Sequence, residues 1–460
     1  MPANRLLERV RERQRRFEMC DPSHKWHIPR INLRDGYRYE LNNGFLARGT
    51  NHTSEESFCG IDFHQLLPPD FHLQQHLDLN RDHVGMTLVD FSFSIADDLL
   101  VLVEQCPDPR VRSDEPHPDA ASPFVSLKSS EFPYWTICTS LLHYDYLAIG
   151  FSTSVNANDG GFQGCQTIYN WKTGAYAMPT IETSDVAFLP HHQALLFLNE
   201  PEPCSLGIYD LRTSKITNIL VLPFQRPVAM ACFVTCPPYR PDPTSDDPLL
   251  RMVPDPRLDV IGMQFTTLSI RRRNYVVVLS QHKLMQSASK HREDFPNETL
   301  LAWEHWGPES TRWFSPRNIR SAGYRAIWGS RILVRGSLER IHPEEPMMYS
   351  SLIVLDFNQR FLRRRRHRQT TRADTPFADI ENEADERMIV ESEWNWEGQM
   401  DETLRDIKSS LPFQATICRG PSPLHKVRDY HVLYLEQNTI VGSLYDHYDV
   451  WSFLPPSDKS

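Results

Sequence analysis

Apolar and polar residues alternate along residues 89–95. Val89, Phe91, Phe93 and Ile95 share one face and Asp90, Ser92 and Ser94 the other, which predicts a half-buried strand. A turn at Ala96-Asp97-Asp98 leads into residues 99–103, LLVLV, a run that reads as a strand buried on both faces. The same pairing of short apolar runs recurs. Residues 141–142 and 147–151 flank His143-Tyr144-Asp145-Tyr146, and 186–189 and 194–198 flank Pro190-His191-His192-Gln193. Further on, 324–328 and 332–334 flank Gly329-Ser330-Arg331, and 432–435 and 439–444 flank Glu436-Gln437-Asn438. These read as hairpins. The second strands of the first three begin near 99, 147 and 194, a spacing of 48 and then 47 residues. Related words follow in two of them, Ile168-Tyr169-Asn170-Trp171-Lys172-Thr173-Gly174 and Ile208-Tyr209-Asp210-Leu211-Arg212-Thr213-Ser214. A weaker echo is Leu355-Asp356-Phe357-Asn358, and Tyr448-Asp449-Val450-Trp451 closes the chain in similar style.

Antiparallel units of 40 to 50 residues are what a β-propeller requires, because a single blade cannot bury its own faces. The expected fold is therefore all-β and propeller-like, with six to eight blades over residues 36–460. Residues 1–35 are expected to be a charged helix, covering Arg5 to Phe17 with Leu6, Leu7, Val10 and Phe17 on its apolar stripe, followed by a linker. Three insertions break the period: 104–123, 236–257 and 363–402. The last opens on Arg363-Arg364-Arg365-Arg366-His367-Arg368 and continues into an acidic stretch from Asp374 to Glu402, expected to be disordered or partly helical. Arg363, Arg364, Arg365, Arg366 and Arg368 form a candidate basic targeting patch. The simpler reading is a solvated insertion neutralised by its acidic neighbours.

Composition changes this picture little. Of 460 residues, 40% are hydrophobic, and 35 prolines against 19 glycines fit stiff surface connections better than phosphate-binding loops. A net charge of −10 argues against nucleic acid and anionic membranes as partners. No apolar stretch is long enough to span a bilayer or to serve as a leader. Nine scattered cysteines then suggest free thiols in a reducing, intracellular setting, cytoplasmic or nuclear.

Candidate chemistry is sparse. Gly160-Gly161-Phe162-Gln163-Gly164 has the wrong spacing for a phosphate loop, and no His-Glu-x-x-His helix is present. Cys232 and Cys236, four apart on a strand, would sit about 13 Å from each other at ~3.3 Å per residue, too far to share one zinc ion. His191 and His192 are a turn pair facing opposite ways. No serine carries a nucleophile elbow. No catalytic residue, cofactor or metal site is expected.

Several words in order resemble the mushroom-type fungal F-box proteins with a propeller-like C-terminal region. They are the charged helix LLERVRERQ (residues 6–14) followed by Trp26, Tyr39-Glu40-Leu41 with Gly44-Phe45-Leu46-Ala47, Asp90-Phe91-Ser92-Phe93, residues 97–104, and Asn170-Trp171-Lys172-Thr173-Gly174. In that family an F-box ahead of the helix recruits a Skp–cullin ubiquitin ligase, and the C-terminal part captures a client. Here the match begins at the helix, and residues 66–77 (LLPPDFHLQQHL) match only the opening of an F-box before strand pattern resumes. The resemblance implies a non-enzymatic client-binding module for a client not identified, with a Skp-type adaptor as partner only if an F-box equivalent exists. The alternatives are a propeller enzyme of hydrolase type with a central pocket, and a stand-alone WD-like scaffold unrelated to ubiquitination.

Overall fold

The computed structural model describes residues 3–29, 39–42, 44–52, 57–66, 87–104, 118–122, 137–152, 164–198, 204–224, 228–235, 255–267, 274–314, 319–321, 326–336, 351–360, 362, 387–390, 394–396, 407–418, 430, 432–436, 439–444 and 447–455. Six small sheets stand in a ring, a six-bladed β-propeller. Blade 1 carries Tyr39–Asn42, Phe45–His52, Phe58–Gln65, Leu88–Ser94 and Leu99–Glu104. Blade 2 carries Ile137–His143, Tyr146–Ser152, Gly164–Asn170 and Ala175–Glu182. Blade 3 runs from Val186–Leu189 through Gln193–Leu198 and Ser205–Asp210 to Lys215–Val221, with Leu300–Leu301 added in parallel. Blade 4 holds Val228–Val234, Val260–Thr267, Asn274–Ser280 and Thr311–Phe314. Blade 5 is built on Arg331–Gly336, Ser351–Asp356 and Phe413–Cys418. Blade 6 holds Val432–Glu436, Thr439–Ser443, His447–Ser452 and, as its outermost strand, His24–Pro29.

Every predicted hairpin forms, with Leu142 opposite Leu147, Phe188 opposite Ala194, Ile327 opposite Ile332 and Leu435 opposite Ile440. Neighbouring blades meet in sequence order. Ser140 Oγ of blade 2 donates to Asp90 of blade 1 at 2.9 Å, and His143 of blade 2 stacks on Phe188 of blade 3 at 4.6 Å. The Phe233 N–H of blade 4 donates to Asp185 at the start of blade 3, 2.7 Å away. Val260 donates to Gly329 at the 4–5 junction, one apolar cluster joins Leu333 and Leu352 to Leu433 and Ile440, and Tyr434 meets Tyr39 edge-on at 4.8 Å. Burial between faces is what makes short strands stable here, since two strands alone are marginal. Gln193–Leu198 is buried along its whole length.

Four expectations need correction. Residues 99–103 are not buried on both faces: Leu100 is 37% exposed, because this strand forms the edge of its sheet. Residues 24–29, expected within a linker, are the strand that closes the ring, with His24 opposite Ser452 and Pro29 opposite His447. Inside the acidic stretch, Arg387–Val390 pairs with Phe413–Cys418 and Trp394–Trp396 pairs with Ile407–Ser409. Short runs such as Met388-Ile389-Val390 find partners despite their charged flanks. Finally, Cys59, Cys165, Cys204 and Cys232 are free thiols, but Cys20, buried just after the helix Ala3–Met19, is disulfide-bonded.

Helix α1 (Ala3–Met19) docks on blades 5 and 6 through Phe17. Leu7, expected on the same apolar stripe, is instead 47% exposed, and Leu6 and Val10 are only half-buried, because the contact is confined to the end of the helix. Phe17 stacks on Phe453 at 4.0 Å, and the Arg331 guanidinium lies 4.5 Å from the Phe17 ring centre. Two further helices escaped the sequence reading. In α2 (Gln281–Asp294) only Leu284 and Ala288 are buried, too narrow a stripe to stand out; α3 (Trp303–Ser310) buries Trp303 and Trp306 and contains Pro308. Among the described residues, no helix is long and apolar enough to cross a membrane.

Candidate functional site

The repeated words noticed in the sequence are one local structure used three times. Asn170 Oδ1 accepts the backbone N–H groups of Lys172 and Thr173 at 3.1 and 3.0 Å. Asp210 Oδ1 accepts those of Arg212 and Thr213 at 2.8 and 3.3 Å, and Asp356 Oδ1 accepts that of Asn358 at 2.9 Å. A short side-chain acceptor bonding two and three residues ahead turns the chain sharply. The residue after each acceptor then donates its N–H to the neighbouring hairpin turn of the same blade: Trp171 to Asp145, Leu211 to His192, Phe357 to Ser330. Tight turns of one blade are thereby tied together on one rim of the ring.

On blades 2 and 3 this rim is aromatic. Tyr144, held at φ +54° in its turn, is 40% exposed, and Tyr176 is 51% exposed with its ring 5.5 Å from that of Tyr169. Beneath them Trp171 donates its indole N–H to the Tyr144 carbonyl at 2.8 Å, and Lys172 lies over the Trp171 ring while pairing with Asp145 at 3.0 Å. The Tyr146 hydroxyl and His192 Nδ1 are 3.1 Å apart across the blade junction. Burial raises the Tyr146 phenol, with Arg212 opposing, so this hydroxyl keeps its proton at neutral pH. Exposed tyrosines on a rigid base, with Lys172 and the exposed Arg212 beside them, are the residue types that anchor protein interfaces.

A second cluster lies at ring closure. His27 stands opposite Asp449 in the strand register, and His447, two residues before Asp449, shares its face. Asp449 is buried, its Oδ2 receiving the Tyr430 hydroxyl and, at 3.3 Å, the Lys25 ammonium. Burial disfavours its charge, but Tyr430, Lys25 and His27 outweigh that and hold the carboxyl below its ordinary value. The His27, His447 and Asp449 donor atoms all lie within 4.8 Å of one another. Sequence reading could not find this group, because His27 and Asp449 meet only when the first strand joins the last blade. Recognising His24–Pro29 as a closing strand would have been the signal.

Two carboxyls near the blade starts are raised instead. Asp185 accepts from Phe233 and Val186, yet burial pushes it up to about 6; burial with the nearby charge of Asp255 does the same to Asp259. The arginine patch Arg363, Arg364, Arg365, Arg366 and Arg368 lies outside the described residues, as do Cys236 and residues 67–77. His191 and His192 do occupy a turn, both at positive φ.

No family model matches the chain, and no curated protein does. Among solved structures, a Pyrococcus horikoshii acylaminoacyl peptidase is similar at 13% identity with a TM-score of 0.20, over 48% of this chain and 38% of that one. A likeness at that level adds nothing to the reading of either cluster.

Proposed function

We propose that this propeller is a non-enzymatic protein-interaction module that holds a client on the rim of blades 2 and 3. The observation that carries the reading is the exposure of Tyr144 and Tyr176 over a fixed base of Trp171, Tyr169 and Lys172. Large aromatics held in place lose little conformational freedom on binding, which is why they dominate interface energetics. The proposal extends to the resemblance in the sequence: the client-binding role is that of an F-box substrate receptor, with a Skp-type adaptor as second partner. The net charge of −10 supports a protein client over nucleic acid.

The test is an affinity pull-down of tagged chain from its native cell, read by mass spectrometry, beside a Tyr144→Ala/Tyr176→Ala variant. Proteins retained by the wild type and lost from the variant identify the client and support the rim. Identical recoveries from both chains refute it. Recovery of a Skp-type adaptor and a cullin supports the ligase role, and a client recovered without them leaves a scaffold.

A further inference from the structure

The closure cluster has the arrangement of a metal-binding site. Two imidazole nitrogens and one carboxylate oxygen converge from two strands: His27 from the first, His447 and Asp449 from the last. The two oxygens of Asp449 have different surroundings. Oδ2 is committed to Tyr430 and Lys25, while Oδ1, buried, touches His27 Nδ1 and lies 3.4 Å from His447 Nε2, with no further hydrogen-bond partner among the described residues. A ligating carboxylate is commonly held this way, one oxygen free for the ion and the other hydrogen-bonded behind it. Ligands about 2.0–2.2 Å from a zinc ion sit within a few ångströms of each other, and these three donor atoms lie within 4.8 Å of one another, with His27 having to draw back from Asp449 to admit the ion. His27 is 57% exposed, so an ion reaches the group from solvent.

We propose that His27, His447 and Asp449 bind one divalent transition-metal ion of the zinc class, which clasps the first strand of the chain to the last blade. Imidazole with a single carboxylate suits zinc, cobalt or nickel better than calcium or magnesium, which prefer oxygen. Three protein ligands leave at least one position for water. Lys25 sets the affinity: its ammonium sits on the far oxygen of the same carboxylate and opposes a second cation there. It also lies 5.6 Å from the Trp451 ring centre, an alternative resting place for its charge. Because the ligands come from both strands of the closure, an ion that binds only the closed ring stabilises it by mass action.

The experiment uses the full chain, stripped with a chelator, and zinc chloride as the probe. Titration calorimetry is paired with cobalt absorption spectra and thermal unfolding with and without zinc. The wild type is expected to take up one ion per chain with a rise in unfolding temperature. His27→Ala, at an exposed side chain, is expected to weaken that binding at least tenfold and to lose the cobalt ligand-field bands. Lys25→Gln is expected to bind several-fold tighter, a change that a purely ionic role for the cluster would not produce. A zinc isotherm unchanged in His27→Ala, or binding no tighter in Lys25→Gln, overturns the proposal. So does the absence of a one-to-one event in the wild type.

Discussion

Gly442 stands directly opposite Asp449 in adjacent strands of blade 6, and the space left by its missing side chain is filled by the ring of Tyr430. A Cβ at position 442 would lie 2.5 Å from a Tyr430 ring carbon. That absence is what lets the Tyr430 hydroxyl reach the buried carboxylate. Gly442→Ala is therefore expected to push the ring aside and cost about 1–3 kcal/mol, as overpacking does. Tyr430→Phe keeps the ring but removes the donor, for a loss of about 1–2 kcal/mol. Urea denaturation of both variants checks the pair, and a Gly442→Ala midpoint equal to wild type would contradict the packing.

Asp259 should reveal itself through pH. Its folded carboxyl titrates at about 6, above the ~3.9 of an unfolded aspartate, so the folded state binds the extra proton between those values. The associated stability is present below pH 4 and lost as pH rises through 6. Oδ1 of Asp259 is buried without a hydrogen-bond partner among the described residues. Asp259→Asn is thus expected to stabilise the chain at pH 7.5 by about 1 kcal/mol, below the ~3 kcal/mol that a two-unit shift allows, and to do almost nothing at about pH 3, where the unfolded carboxyl is protonated as well. His64 works in the opposite sense over part of this window, since burial lowers its imidazole to about 4. The difference between variant and wild type, rather than either curve alone, carries the answer.

Thiol chemistry gives a third check. Burial raises Cys165 and Cys232 to about 12, with Glu182 and Asp185 adding to the effect. At pH 8 the reactive thiolate is then about one part in ten thousand. Iodoacetamide labelling followed by mass spectrometry should leave both unmodified in the native chain and modify both in denaturant. Fast labelling of either in native conditions would show that its surroundings are open.

In the turn of blade 1, Asp98 holds φ +50° while exposed to solvent. A left-handed backbone costs an L-residue about 1–2 kcal/mol that glycine avoids, offset in part by the greater freedom of glycine when unfolded. Asp98→Gly is expected to raise stability by about 0.5 kcal/mol, seen as a higher denaturation midpoint at unchanged slope.

What could be read from the sequence were features whose partners lie close by. The hairpins at 141–151 and 186–198 announce themselves because both strands and their turn fall within 11 and 13 residues. The words at Asn170 and Asp210 recur because each must bond its own backbone two and three residues on. The closing strand His24–Pro29 has the opposite character. Its run of His, Lys, Trp, His, Ile and Pro has weak alternation, and its partner lies more than four hundred residues away. The same distance hid the grouping of His27 with Asp449. Arg387–Val390 was obscured for another reason: four residues paired at a sheet edge need little hydrophobic content when their backbone hydrogen bonds do the work.

The pairing of His24–Pro29 with His447–Ser452 also sets an order in time. Ribosomes add roughly 5–20 residues per second, so the first strand exists for some 20 to 80 seconds before its partner is made. Through that interval its hydrogen-bonding edge has no mate in its own chain, while the blades behind it can form one after another from local contacts. The ring therefore completes only once the last blade is made. A strand made ahead of every other described strand is thus among the last to be secured.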